Sequence, residues 1–134
     1  MTLVVQKEVA QRICAKPPKM SILANSVQFY ADPEMISVIS KKSFFPQPKV
    51  DAALIKITPR PTPMGDKDLF FKIVKAGFSQ PRKQLINNLS NGLKTDKKKV
   101  GEWLLKNNIR STQRAETLEV ADWINLIKAL HWVK

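Results

Sequence analysis

The chain of 134 residues reads as an α+β protein in which two helices and a β-hairpin precede an all-helical segment. Three observations carry that prediction. Apolar residues recur at helical spacing up to residue 30 and again after residue 66. Between them lie two short branched stretches that alternate like strands. A proline-rich run from Pro59 to Gly65 separates the halves, giving segments 1–60 and 66–134 joined by a semi-rigid linker at 61–65.

The elements follow in order. Val4, Val5, Val9, Ala10 and Ile13 recur at helical spacing, which predicts a first helix ending near Ala15, before Pro17 and Pro18. Ser21 suits the N-cap of a second helix carrying Ile22, Leu23, Val27 and Tyr30, which Asp32 and Pro33 end. Met35 to Ile39 and Val50 to Thr58 alternate as strands, and the short connection makes an antiparallel hairpin. Asp66 caps a helix striped by Leu69, Phe70, Ile73, Val74 and Phe78. Pro81 fits the first position of the next, with Leu85, Ile86, Leu89 and Leu93 inward and Arg82, Lys83, Asn87 and Asn88 outward. Thr95 caps a third, closed by Asn107 and Asn108, and Thr117 caps a last one whose inner side holds Val120, Trp123, Ile124, Ile127 and Leu130. Four amphipathic helices with short links bury their stripes against each other, so 66–134 reads as a small bundle with Trp103 and Trp123 in its core.

Charge narrows the function. Lys and Arg number 23 against 11 Asp and Glu, a net +12 that calls for a polyanionic partner. Between Lys72 and Lys99 stand eight basic residues and one acid, Asp96. No run approaches the ~18 apolar residues of a membrane span, so nucleic acid is expected rather than a membrane. Cys14 stands alone, which fits a reducing cytoplasm, and no targeting segment is read at the start. The one histidine, His131, cannot build a triad or a metal site. The glycines at 65, 77, 92 and 101 form no phosphate-cradling turn after a strand. By itself the chain does not read as a complete enzyme.

The connection between the strands, Ser43 to Asp51, is Ser-Phe-Phe-Pro-Gln-Pro-Lys-Val-Asp. Each proline fixes its own φ and drives the preceding residue, Phe45 or Gln47, towards extended geometry, which predicts a stiff polyproline-like ribbon. Consecutive Phe44 and Phe45 then point to opposite sides, one to the core and one to a cleft, where a ring can stack on a flat ligand such as a base.

That string resembles the rRNA adenine N6,N6-dimethyltransferases of the KsgA type, C-terminal part only. So do Gln6 to Ala10, Phe78 to Leu85 (Phe-Ser-Gln-Pro-Arg-Lys-Gln-Leu) and Arg114 to Leu118 (Arg-Ala-Glu-Thr-Leu). The resemblance implies that residues 1–60 are the end of a Rossmann-like methyltransferase domain and 66–134 an α-helical rRNA-orienting domain. It implies S-adenosylmethionine as cofactor of the full-length parent, none bound by this chain, and no activity for this chain alone. Phe44 becomes the ring that packs on the target adenine, with Pro46, Pro48 and Lys49 at the pocket rim and Phe45 left to the core. Gln80, Arg82 and Lys83 match the family's basic helix start. With Lys72, Lys75, Lys97, Lys98 and Lys99 they make the expected RNA-binding set. Pro81 replaces a common arginine, Ala52 a usual serine, and Arg114 with Glu116 is expected to form an internal ion pair. Asp51 is expected to be a structural partner for a nearby basic group. The implied partners are small-subunit rRNA and the pre-ribosomal 30S-type particle. Exposed faces of the truncated half imply dimerisation or strand exchange. Two rivals stand beside this: a free-standing basic helical nucleic-acid-binding module, and a transcription factor of the same family of the mitochondrial type. The first separates from the family reading at the hairpin, which belongs to a larger sheet only in the family.

Overall fold

The computed structural model describes residues 1–61, 65–80 and 82–130; Pro81, His131 and most of the linker, 62–64, lie outside them. The chain opens on a strand rather than on the expected helix. β1 (Thr2–Gln6) runs antiparallel to β3 (Ala52–Pro59), with Val4 opposite Leu54 and Val5 opposite Ala53. Leu3, Val4 and Val5 satisfy a helical period and a strand period equally well, and the open backbone edge of β3 decides between them. Only then does α1 (Lys7–Ile13) begin.

After α1 comes α2 (Ile22–Tyr30), capped as expected by Ser21, whose Oγ accepts the N–H of Ala24 at 3.1 Å. The chain turns directly into β2 (Ala31–Ile39), longer than expected at its start because Asp32 and Pro33 join the strand. Pro33 is tolerated there because β2 lies on the sheet edge. β2 and β3 form the expected antiparallel hairpin, with a bulge between Met35 and Ser37. The strand order is β1-β3-β2, so the outer edge of β3 is paired by this chain's own β1.

Two cores form. α1 lies on one face of the sheet, burying Ala10, Ala53 and Ile55, with Val5, Ile13, Cys14, Met35 and Ile57 packed around them. Burial, helped by the charge of Asp32, pushes the Cys14 thiol pKa up. The larger core joins α2 to four more helices: α3 (Lys67–Gly77), α4 (Leu85–Gly92), α5 (Lys97–Lys106) and α6 (Val120–Lys128). Phe29 of α2 stacks on Phe70 of α3, their centroids 4.3 Å apart. Trp103 and Trp123 are both buried in it, as expected, and the Trp103 indole N–H donates to the Leu126 carbonyl at 2.8 Å. A Cβ on Gly77 would stand 2.6 Å from the Trp123 ring, so that glycine lets α3 and α6 approach.

Three helix starts fall later than the sequence predicts. Asp66 does cap α3, its Oδ1 accepting the N–H groups of Asp68 and Leu69. The Leu85 N–H, which in a helix begun at Pro81 would meet the carbonyl four residues back, instead donates to the Gln113 carbonyl at 2.8 Å, so α4 starts at Leu85. The Thr95 hydroxyl donates back to the Leu93 carbonyl, leaving Asp96 to cap α5. The Thr117 hydroxyl likewise donates to the Arg114 carbonyl, and a reciprocal box between Glu119 and Asp122 caps α6. Asn108 takes the left-handed conformation expected after α5, with φ of 62°.

Candidate nucleic-acid interface

Ile39 and Ala52 face each other across the hairpin, so the residues between them must reverse direction within one strand spacing. A straight polyproline ribbon cannot do this. The segment instead opens with a 3-10 turn at Lys41–Ser43, bends over residues 44–46 and bends again at Lys49 and Val50. The Ser40 hydroxyl accepts the Lys42 N–H at 3.2 Å. The Asp51 carboxylate accepts the Lys41 N–H at 2.9 Å. Asp51 was expected to pair with a basic side chain; its partner is a backbone donor.

The two phenylalanines diverge as consecutive extended residues should, but neither enters a core. Phe44 is 38% exposed and lines a cleft of about 620 Å³ together with Val4, Gln6, Ala52 and the run from Pro48 to Asp51. Phe45 points away and is fully exposed, which corrects the expectation that it is a core residue. The tip of the loop stands clear of both cores, so no core residue packs on Phe45. Pro48 and Lys49 line the cleft, whereas Pro46 is not part of its lining. Val4 and Ala52 belong to the sheet face that α1 does not cover, since their neighbours Val5 and Ala53 face α1. A second, more polar cleft of about 480 Å³ lies on the other side of Lys49, Val50 and Asp51, walled by Lys7, Gln11 and Lys41.

The expected RNA-binding residues occupy three successive segments of the helical region, and none lines the Phe44 cleft. Lys72 and Lys75 lie on the exposed side of α3, and Gln80, Arg82 and Lys83 are exposed in the turn before α4. Lys97, Lys98 and Lys99 are exposed in the first turn of α5, where the only acid is the cap, Asp96. Cations there oppose the positive end of the helix dipole, a cost that a bound anion removes. Arg82 and Lys83 sit ahead of the helix rather than on it, and what holds their turn is Asn88. Expected to face outward, Asn88 is buried, and its amide donates to the carbonyls of Gly77 at 2.8 Å and Gln80 at 2.9 Å. The signal was available: Asn88 lies three residues after Leu85, on the same apolar stripe.

Arg114 and Glu116 form no ion pair among the described residues. Arg114 is exposed ahead of a 3-10 turn at Ala115–Thr117, and Glu116 faces a cavity of about 310 Å³ shared with Arg12, Met20 and Phe78. Glu116 instead contributes its backbone carbonyl, which accepts the Met20 N–H at 3.0 Å and ties the start of α2 to the helical core.

Comparison with known proteins adds a family to this geometry. The family model for ribosomal RNA adenine dimethylase matches residues 1–131. The chain is similar to ribosomal RNA small subunit methyltransferase A of Geobacillus kaustophilus, with 38% identity over 97% of the chain and 47% of that protein. It is also similar to the protein of the same name from Dehalococcoides mccartyi, with 42% identity over 94% of the chain and 44% of the relative. The chain thus spans about half the length of the curated relatives it matches. In fold it resembles a dimethyladenosine transferase from Plasmodium falciparum, with a TM-score of 0.77 at 23% identity, covering 95% of the chain and 55% of that structure. It likewise resembles the 23S rRNA methyltransferase ErmE, with a TM-score of 0.75 at 20% identity, over 96% of the chain and 53% of that structure.

Proposed function

The chain belongs to the ribosomal RNA adenine dimethylase family, and from that premise we propose that it is the RNA-positioning half of an S-adenosylmethionine-dependent small-subunit rRNA adenine N6-dimethyltransferase. The parent enzyme acts in ribosome biogenesis in the cytoplasm. Residues 1–60 close its methyltransferase domain, and residues 66–134 form an α-helical domain that orients the rRNA of a pre-ribosomal particle. No helix among the described residues is long and apolar enough to cross a membrane.

The observation that carries this is the half-walled cleft at Phe44. A target adenine inside a stack cannot be reached, so it must be drawn out and held. Phe44 offers one ring face beside Pro48, and stacking there stabilises an extruded base by about 1–3 kcal/mol. An exocyclic amine is a weak nucleophile while its lone pair is delocalised into the ring, so holding the base in one orientation is much of what the protein can contribute. Lys72, Lys75, Gln80, Arg82, Lys83 and Lys97 to Lys99 hold the phosphates that fix the register. S-adenosylmethionine does not fit the residues present. None of the glycines has a positive φ, and Gly77 and Gly92 are filled against Trp123 and Ala76 rather than opened towards a ligand. The proposal assigns the methyl donor to the half of the enzyme that this chain does not span and expects no methyl transfer from the chain alone. That half also covers the free edge of β1 and the apolar patch that Val4 and Ala52 form beside Phe44 on the open sheet face. When this chain is alone in solution, pairing of two copies through the same edge is the competing outcome.

Titrating the chain with an RNA hairpin that carries unpaired adenines, at several salt concentrations, tests the proposal. Replacing Lys97, Lys98 and Lys99 by Gln weakens binding to any sequence and lowers the salt slope by about 2–3. A salt slope unchanged by these substitutions removes α5 from the interface, and methyl transfer by the chain alone overturns its assignment as a positioning half.

A further inference from the structure

We propose that Asp51 is the positioning residue that sets where Phe44 stands, acting as a latch across the mouth of the loop. The proposal rests on the reading of Phe44 as the adenine-stacking ring. Asp51 is the last residue before β3, and it is bonded in two directions. Its Oδ1 accepts the N–H of Lys41, at the loop's entry, at 2.9 Å. Its backbone carbonyl accepts the N–H of Lys7, where β1 passes into α1, also at 2.9 Å. One residue therefore joins the loop's entry, its exit and the end of the strand that walls the cleft.

The connection from Lys41 to Phe44 is short and taut. A single 3-10 turn separates them, closed by the Ser43 N–H donating to the Ser40 carbonyl at 3.0 Å and the Phe44 N–H to the Lys41 carbonyl at 3.4 Å. Any displacement of Lys41 is handed on to the ring. The prolines cannot replace the latch, because Pro46 and Pro48 lie beyond Phe44 and stiffen only the return path. Phe44 itself is not sealed in a core that would hold it. A carboxylate is a stronger acceptor for a lone backbone N–H than a neutral oxygen, which suits a site where one bond does the holding.

The test uses the full 134-residue chain as wild type, Asp51→Ala, Asp51→Asn and Lys41→Pro. Asn keeps an oxygen acceptor. Pro removes the donor instead, at the first position of a 3-10 turn where its ring is tolerated, with Lys41→Ala as the control for lost charge. Two quantities are read: the exchange rate of the Lys41 amide, and the ratio of affinities for an RNA hairpin with one unpaired adenine and the same hairpin abasic there. Asp51→Ala is expected to speed Lys41 exchange and to lower the adenine preference, each ~tenfold, the factor for one bond to a charged acceptor. Affinity for the abasic hairpin stays as in wild type. Lys41→Pro reproduces the loss of preference, and Asp51→Asn keeps most of it. An Asp51→Ala chain that folds and retains its preference overturns the latch. If that chain fails to fold, retention by Lys41→Pro overturns it equally, and so does an Asp51→Asn chain as impaired as Asp51→Ala. A wild-type chain with no preference for adenine sinks the stacking role of Phe44 instead, and Lys41 exchange then decides the latch alone.

Discussion

The sheet region and the helical region of this chain solve the burial problem to different degrees. The helical core contains nineteen buried residues, and among the described residues from α3 onward only Leu105 is a large exposed hydrophobic. The sheet core contains three, while Leu3, Val4, Ile36, Val38, Phe44, Phe45 and Val50 of the same region are exposed. An antiparallel sheet is stable with one face solvated, but the free face is then ordinarily polar. Here it is mixed: Thr2, Gln6, Glu34 and Lys56 share it with Val4, Leu54 and Ala52, and its apolar part adjoins the ring of Phe44 in an open cleft. The helical region is a finished scaffold and the sheet region an unfinished wall.

Substitutions sharpen that contrast. Trp123→Ala removes the largest fully buried side chain and should cost about 3–5 kcal/mol in denaturant unfolding. A loss below 1 kcal/mol, read from the same curves, would mean the helical core is as loose as the sheet. Asn88→Leu leaves the Gly77 and Gln80 carbonyls without their donor and should cost about 1–3 kcal/mol, with faster amide exchange through the turn at 78–84. In the sheet core, Cys14 gives a smaller and pH-dependent effect. Burial raises its thiol pKa in the folded chain, so the contribution is intact below the ordinary value of 9.0 and is lost as pH rises through the higher folded value. The difference in melting between wild type and Cys14→Ala should therefore be constant below that pH and change only on the alkaline side. Val4→Thr, on the open face, should change stability by less than about 0.5 kcal/mol, since water already reaches the site. A cost like that of a core residue would show that the face is covered in the isolated chain.

Much of this was legible before the structure. The caps Ser21 and Asp66, the hairpin and the tryptophan core follow from local chemistry with one dominant solution. The misses share a cause, which is that two local solutions were close in energy and a distant partner chose. β1 satisfied two periods until β3 offered its edge. Thr95 and Thr117 each had a competing acidic cap one or two residues on, and such competition turns on a fraction of the ~1 kcal/mol a cap contributes. Extended geometry predicted only that one of the two phenylalanines meets a cleft; the family resemblance chose Phe44, and the cleft wall from Val4 and Val50 needed the sheet register. The inward turn of Asn88 was readable from its place on the stripe of Leu85, whereas the Asp51 bond needed a backbone donor that only the folded chain brings near.

Under the function proposed above, Phe44 presents its ring to an extruded adenine. The most direct measurement replaces the unpaired adenine of the RNA hairpin with 2-aminopurine and follows its fluorescence as the chain is added. A base leaving its stack brightens, and one settling on an aromatic ring is quenched again. Wild type should therefore give a quenched bound state, and Phe44→Ala, binding the same hairpin, a bright one. Identical signals from the two chains would contradict the claim.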